Sequence, residues 1–313
     1  MYCVFSANPI AAFIYNPGCY TVSSALVYFQ TASRLCALFY EYDFTDRFDT
    51  EIIDCLVGAR VFVERLLLGG RRMSIRTQDL TVSYNRHPAV HHFDICFDSG
   101  SMWAVFGPNG AGKSTFLKAV MGLQKIDTGK VEWCGCERKD IAYLPQQSEI
   151  DRSQPMTVFE LAAMGLWYEI GFFGRVGKAQ RARVTQALER VEMADFADRQ
   201  IGHLSNGQFQ RVLFARMLVQ DAKYLLLDEP FNAVDAKTTY ALLELLRQCN
   251  SEGRTVVAVL HDYEQVRAYF PYTVLIAREK IASGKTEDVL TEHFLKQADA
   301  AVQKHDAADW CEA

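Results

Sequence analysis

Apolar and polar positions alternate along some stretches of this chain and run together along others, and the contrast predicts its layers. Between residues 75 and 84 apolar groups recur at Ile75, Leu80, Val82 and Tyr84 with polar residues between them, which predicts a half-buried strand. "MWAVF" at 102–106 and "KYLLLD" at 223–228 are continuous apolar runs of strand length, the pattern of strands buried on both faces in a parallel sheet. "KAQRARVTQALERVEMADF" carries Val184, Ala187, Leu188 and Val191 at helical spacing, leaving a charged face to solvent. "YALLELLRQCNSEGR" predicts a second helix, with Gly253 placed to stop it. From about Glu292 to the end the chain reads as a helical or frayed tail that carries no further information.

The first 72 residues fit neither period. They hold no lysine, four of the nine cysteines and 13 of the 38 aromatic residues, and lack a basic stretch followed by a small-residue cleavage site. The character changes at "LLLGGRRMSIRTQDL", with Met73 at the junction. The expectation is that Met73 is the true start and residues 1–72 a translated leader, the alternative being an accessory extension. Residues 73–291 then form one globular domain, and 292–313 a tail. The remaining composition excludes several classes. A formal charge of −5 without a Lys/Arg block argues against a nucleic-acid partner. Nine irregularly spaced cysteines read as reduced thiols, not a disulfide framework. No apolar run approaches the ~18 residues of a spanning helix.

The chemistry starts after the first buried strand. Gly107, Pro108, Asn109, Gly110, Ala111, Gly112, Lys113 and Ser114 fit G-x-x-x-x-G-K-[ST], followed by Thr115 and an apolar helical stretch. Glycines allow backbone N–H groups to turn inward around a phosphate, and the helix adds the positive end of its dipole. Lys113 supplies a mobile charge, and Ser114 a hard oxygen for Mg²⁺. "KYLLLDEP" ends in Asp228, placed to hold the same metal, and Glu229, placed to polarise an attacking water.

Further elements follow in a fixed order: Gln146 in "IAYLPQQ", "LSNGQ" at 204–208, Asp235 in "FNAVD" and His261 in "VVAVLHD". With these, the chain from about Ile75 to Leu290 resembles the nucleotide-binding subunit of ATP-binding cassette (ABC) transporters. The resemblance implies an α/β P-loop cassette with a RecA-like core, an antiparallel β region and a helical subdomain at about 148–220. It implies ATP and Mg²⁺ as cofactors, with Ser114, Gln146 and Asp228 at the metal. Glu229, His261 and Gln146 are the implied catalytic residues, and Tyr84 stacks on adenine. Ser205, Gly207 and Gln208 face ATP held by a second copy, and Asp235 crosses that dimer interface. Asn206 replaces a glycine, and is expected to serve because Asn tolerates left-handed backbone angles.

Two segments, "QQSEIDRSQPMTVFELAAMG" and "ADRQIGHLSNGQFQRVLFARML", are similar to the zinc, manganese and chelated-metal import group. The resemblance then implies a separate membrane permease, a peripheral position on the cytoplasmic face, a homodimer and, indirectly, a periplasmic or surface metal-binding protein. Zinc is favoured, then manganese. Residues 150–166 would meet the permease through Met156, Val158 and Phe159. Iron chelates, a soluble cofactor-assembly ATPase and a nucleotide-binding scaffold are the alternatives. Two smaller clusters invite a metal: His87, His91 and His92 in "HPAVHH", and Cys134 with Cys136, which a strand would place on one face. Two thiols make an incomplete tetrahedral site.

Overall fold

The structure, a computed structural model, describes residues 73–84, 87–171 and 174–305. The expectations for residues 1–72 lie outside the described residues. Among the described residues the strands are β1 (Ser74–Tyr84), β2 (His87–Asp98), β3 (Met102–Phe106), β4 (Thr128–Cys134), β5 (Ile141–Leu144), β6 (Tyr224–Asp228), β7 (Thr255–Val259), β8 (Tyr272–Ala277) and β9 (Glu279–Lys285). The α-helices are α1 (Lys113–Val120), α2 (Val158–Ala163), α3 (Trp167–Ile170), α4 (Lys178–Arg190), α5 (Asn206–Gln220), α6 (Ala236–Ser251), α7 (Tyr263–Tyr269), α8 (Thr286–Val289) and α9 (Glu292–His305).

The strands form two sheets. β1 is the centre of an antiparallel sheet ordered β2-β1-β4. Its apolar positions do not keep strict alternation, since Ile75 and Leu80 are an odd number apart yet both fully buried. The register shifts between Thr77 and Leu80, and Asp79 there takes φ 50°. That bulge returns Leu80 and Val82 to the face already occupied by Ile75.

The second sheet runs β5-β6-β7-β3-β8-β9, parallel except for β9. Both its faces are covered, which is why its strands read as unbroken apolar runs. In β6, Leu225 and Leu227 join the core under the helical layer, while Tyr224 and Leu226 join the core beneath α1 and the antiparallel sheet. The predicted stripe of α4 is buried through Val184, Ala187, Leu188 and neighbouring Val191, packed with α2 and α5. Two of these helices begin in capping boxes, Thr157 with Glu160 on α2 and Ser205 with Gln208 on α5. Each cap contributes about 1 kcal/mol toward fixing where its helix starts.

The last segment departs from expectation. Residues from Glu292 form α9, whose Ala298 is buried with Leu275, Ala277 and Val289, flanked by Phe294 and Leu295. Phe294, Leu295, Ala298, Ala301 and Val302 recur at helical spacing, so an apolar stripe docks the helix on β8.

Candidate active site

The carboxyl ends of four parallel strands converge, which is where an open α/β sheet presents its ligand crevice. The loop after β3 carries residues 107–112, β5 leads to Gln146, β6 ends at Asp228, and β7 leads to His261. The glycines of the first loop are required by its packing. Gly112 has φ 88° and a Cβ there would lie 2.0 Å from the Ala89 carbonyl oxygen; at Gly107 it would lie 2.1 Å from that of Ile276. Backbone therefore lies against backbone on both sides of the loop, and α1 starts directly from Gly112.

Lys113, nearly fully buried, turns its ammonium back into the loop and donates to the Gly107 and Pro108 carbonyls at 2.8 Å each. Burial pulls its pKa below the usual lysine range, opposed by the charges of Glu229 and Asp228. Next to it, the Ser114 hydroxyl donates to Asp228 Oδ1 at 2.8 Å and accepts from Gln146 Nε2 at 3.3 Å. Asp228 is completely buried, and burial raises its pKa against the hydrogen bond from Ser114. A hydroxyl, a carboxylate and an amide gathered around one point, with the carboxylate buried, are a donor set that fits a hard cation such as Mg²⁺.

Glu229 follows on a sharp turn with φ 47°. Its Oε1 lies 2.5 Å from His261 Nε2, and its Oε2 accepts from Asn232 at 3.4 Å. A left-handed glutamate costs of the order of 1–3 kcal/mol, and such strain collects at working sites. A cavity of about 840 Å³ opens here, lined by Gly107, Pro108, Asn109, Glu229 and His261 and by Leu295 of α9.

Tyr84 lies apart from these residues in sequence, 47 % exposed, its hydroxyl donating to Gln124 at 3.0 Å. The residue is thus half exposed while its hydroxyl is anchored. Thr115 continues α1.

Residues 205–208 form a separate group. Ser205 caps α5 and accepts from the Gln208 N–H at 3.2 Å. A Cβ on Gly207 would lie 3.1 Å from Asp235 Oδ2, so the start of α5 and the Asp235 turn pack together. Among the described residues no hydrogen bond joins Ser205, Gly207 or Gln208 to residues 107–115. Asn206 is not left-handed, contrary to the sequence expectation. Ser205 is extended and Asn206 is already the first residue of α5, so this position makes no demand for positive φ. The Asn206 side chain is instead held by Arg152.

Of the residues expected to meet a permease, Val158 is corrected, being fully buried in the helical layer, while Met156 and Phe159 are partly buried against the same core. The large apolar side chains exposed nearby are Met164, Trp167 and Tyr168. His91 faces Glu279 at 3.2 Å and His92 pairs with Asp79. Cys136 lies beyond the end of β4, past a turn at Gly135, so strand alternation does not place it with Cys134. Burial pushes the Cys136 thiol up to about 11. Among the described residues no group of three or more His, Cys, Asp or Glu is placed to hold a metal.

Two partners escaped the sequence reading. Tyr143 donates to Asp228 Oδ2 at 3.4 Å, its phenol kept protonated by burial and by the adjacent carboxylate. Asn232 braces Glu229. Tyr143 stands three residues before Gln146 on β5, a position that reads simply as strand.

The sheet and this constellation define a P-loop nucleotide-hydrolysing cassette. The ABC transporter family model matches residues 90–232. The chain is 42 % identical over 229 residues to the zinc transport system ATP-binding protein of Treponema pallidum, covering 72 % of this chain and 86 % of that one. It is 40 % identical over 225 residues to the manganese transport system ATP-binding protein of Listeria monocytogenes, covering 71 % and 94 %. A bacterial ABC transporter cassette solved as a dimer superposes with TM-score 0.61 at 27 % identity, covering 68 % and 98 %. The chain belongs to the ABC transporter family, as an ATP-binding and ATP-hydrolysing subunit. Among the described residues no helix is long and apolar enough to cross a membrane.

Proposed function

We propose that this chain energises import of a divalent metal, zinc first and manganese second, through a separate permease. The observation that carries the reading is the 42 % identity to a zinc transport subunit over most of both chains. The 40 % identity to a manganese one sets the second choice. The cassette occupies residues 73–291 with its helical subdomain at about 148–220, as a peripheral subunit at the cytoplasmic face. A periplasmic or surface metal-binding protein would deliver the ion to the permease. The exposed Met164, Trp167 and Tyr168 supply the apolar surface for permease contact.

In this reading the N–H groups of residues 107–112 and the Lys113 ammonium hold the phosphates of ATP, and Tyr84 stacks on adenine. Ser114, Asp228 and Gln146 would hold Mg²⁺, which supplies positive charge at the phosphate oxygens. Lys113 leaves the Gly107 and Pro108 carbonyls for a phosphate oxygen, exchanging neutral acceptors for an anionic one. Glu229 accepts a proton from water as its oxygen attacks the γ-phosphorus and the bond to the bridging oxygen breaks, leaving ADP and phosphate. His261, against Glu229, orients that carboxylate and faces the same phosphate.

The capped start of α5, with Ser205, Gly207 and Gln208, closes over ATP held by a second copy, and Asp235 lines that seam. Closure on two ATP molecules and reopening after hydrolysis would then drive the permease between its states. Uptake of zinc, manganese and iron, counted separately in cells lacking the gene and complemented with wild type or Glu229→Gln, tests the assignment. Loss of zinc uptake restored only by wild type supports it, and unchanged uptake of all three discards the metal.

A further inference from the structure

Asp228 is completely buried, so each of its two carboxylate oxygens needs a partner inside the protein. Among the described residues two side chains donate to it, the Ser114 hydroxyl to Oδ1 at 2.8 Å and the Tyr143 hydroxyl to Oδ2 at 3.4 Å. Strand register explains why Tyr143 reaches it. β5 runs parallel to β6 with Tyr143 opposite Leu226, and Asp228 stands two residues further along β6, on the same face as Leu226. The Tyr143 ring packs against the core that contains Leu226 beneath α1. Apolar packing therefore holds the ring, and the ring delivers its hydroxyl to the carboxylate.

The two oxygens of Asp228 are engaged differently. Oδ1 takes the Ser114 hydroxyl, which also accepts from the Gln146 amide. Oδ2 takes the phenol. A carboxylate turns easily about its last side-chain bond, a torsion with broad and roughly two-fold minima. Holding Oδ2 removes that freedom and keeps Oδ1 turned to Ser114. Without the phenol, Oδ2 would be a buried acceptor short of a donor, and leaving such a group unpaired is costly. The donor remaining to the carboxylate would be the Ser114 hydroxyl, whose oxygen is itself part of the donor set for the cation.

We propose that Tyr143 is a positioning residue for the cation of the ATP site, its hydroxyl holding Asp228 Oδ2 so that Oδ1 stays turned to Ser114. The inference rests on the reading that Ser114, Asp228 and Gln146 hold Mg²⁺. Outer partners that orient a metal-holding carboxylate are worth about 10–100-fold in metal affinity. Tyr143 acts on the carboxylate alone: among the described residues its side chain has no hydrogen bond to the phosphate loop, so its loss leaves the binding of metal-free ATP as it was.

The test uses the full chain carrying Glu229→Gln and loaded with ATP, so that the nucleotide persists. Mn²⁺, a hard cation that takes the same oxygen ligands as Mg²⁺, is titrated in. Its free concentration is read by electron paramagnetic resonance, with ATP alone as the reference. Tyr143→Phe in that background keeps the ring and removes one oxygen. It should weaken Mn²⁺ binding by about tenfold or more and leave ATP affinity in EDTA unchanged. Tyr143→Leu, which also removes the ring, should lower the melting temperature but weaken Mn²⁺ binding by no more than Tyr143→Phe does. Unchanged Mn²⁺ affinity in Tyr143→Phe, or a loss confined to Tyr143→Leu, would make the residue a packing group and overturn the proposal. So would a Tyr143→Phe variant that loses ATP affinity in EDTA as steeply as it loses Mn²⁺. If the parent itself binds no more Mn²⁺ than ATP alone, the metal reading of Ser114, Asp228 and Gln146 falls, and the positioning role with it.

Discussion

Replacing Gly112 by alanine tests whether the phosphate loop is held by backbone packing. The site has φ 88°, a conformation that costs an L-residue about 1–2 kcal/mol. In addition the new Cβ would meet the Ala89 carbonyl oxygen at 2.0 Å, and Ala89 lies in β2, paired with β1, so neither side gives freely. Overpacking of this kind costs a further 1–3 kcal/mol or so. The sum, about 2–5 kcal/mol, is a large share of the roughly 5–15 kcal/mol that holds a domain folded. Gly110 provides the control: its φ is 76°, yet a Cβ there has nothing within 4 Å. Gly110→Ala should therefore cost only the conformational part. A difference of about 2 kcal/mol between the variants corresponds to roughly 4–8 °C in Tm for a domain of this size. Thermal unfolding of both variants without nucleotide measures it, and equal Tm values would refute the packing argument.

Other consequences follow from single groups. Glu229→Gln should lower kcat by about 10²–10⁴-fold while ATP still binds, a split read by steady-state kinetics and equilibrium binding. Burial raises the pKa of Asp228, so in the protein without metal its charged form costs stability, and that cost sets in as pH rises through the raised pKa. Asp228→Asn should then gain Tm over wild type in metal-free buffer, by a margin that grows as pH rises out of the carboxylate range, and an unchanged margin would remove burial as the cause. Val158→Ala should destabilise by about 2 kcal/mol through lost packing. Trp167→Ala should leave stability within about 1 kcal/mol while impairing metal uptake, because the ring is already 52 % exposed.

What could be read from the sequence divides along physical lines. The phosphate loop, Asp228 and Glu229 were legible because their chemistry depends on backbone conformation and residue type at fixed short spacings. The parallel strands were legible because burial on both faces leaves an unbroken apolar run. Apolar residues on a short helix such as α2 are ambiguous in a different way. Val158 on α2 and Trp167 at the start of α3 are both apolar, and only the packing of this region against α4 and α5 makes one core and leaves the other at the surface. The contacts of Tyr143 and Arg152 join segments 85 and 54 residues apart, beyond the reach of any local pattern. The bulge at Asp79 was present in the odd spacing of Ile75 and Leu80, and the stripe of α9 in the spacing of Phe294 to Val302.

Mixing two inactive variants tests most directly whether each ATP site is built from two copies. Lys113→Ala removes the phosphate charge, and Ser205→Arg blocks the cap that would face the other copy's nucleotide. Each alone should hydrolyse no ATP. In a mixed dimer, however, one site pairs an intact phosphate loop with an intact cap, so an equimolar mixture should recover up to about a quarter of wild-type activity, given random pairing and one working site of two. Recovery that appears only on mixing is the predicted result. Either full activity in one variant alone, or a mixture as dead as its components when mixed dimers are present, would contradict the shared site.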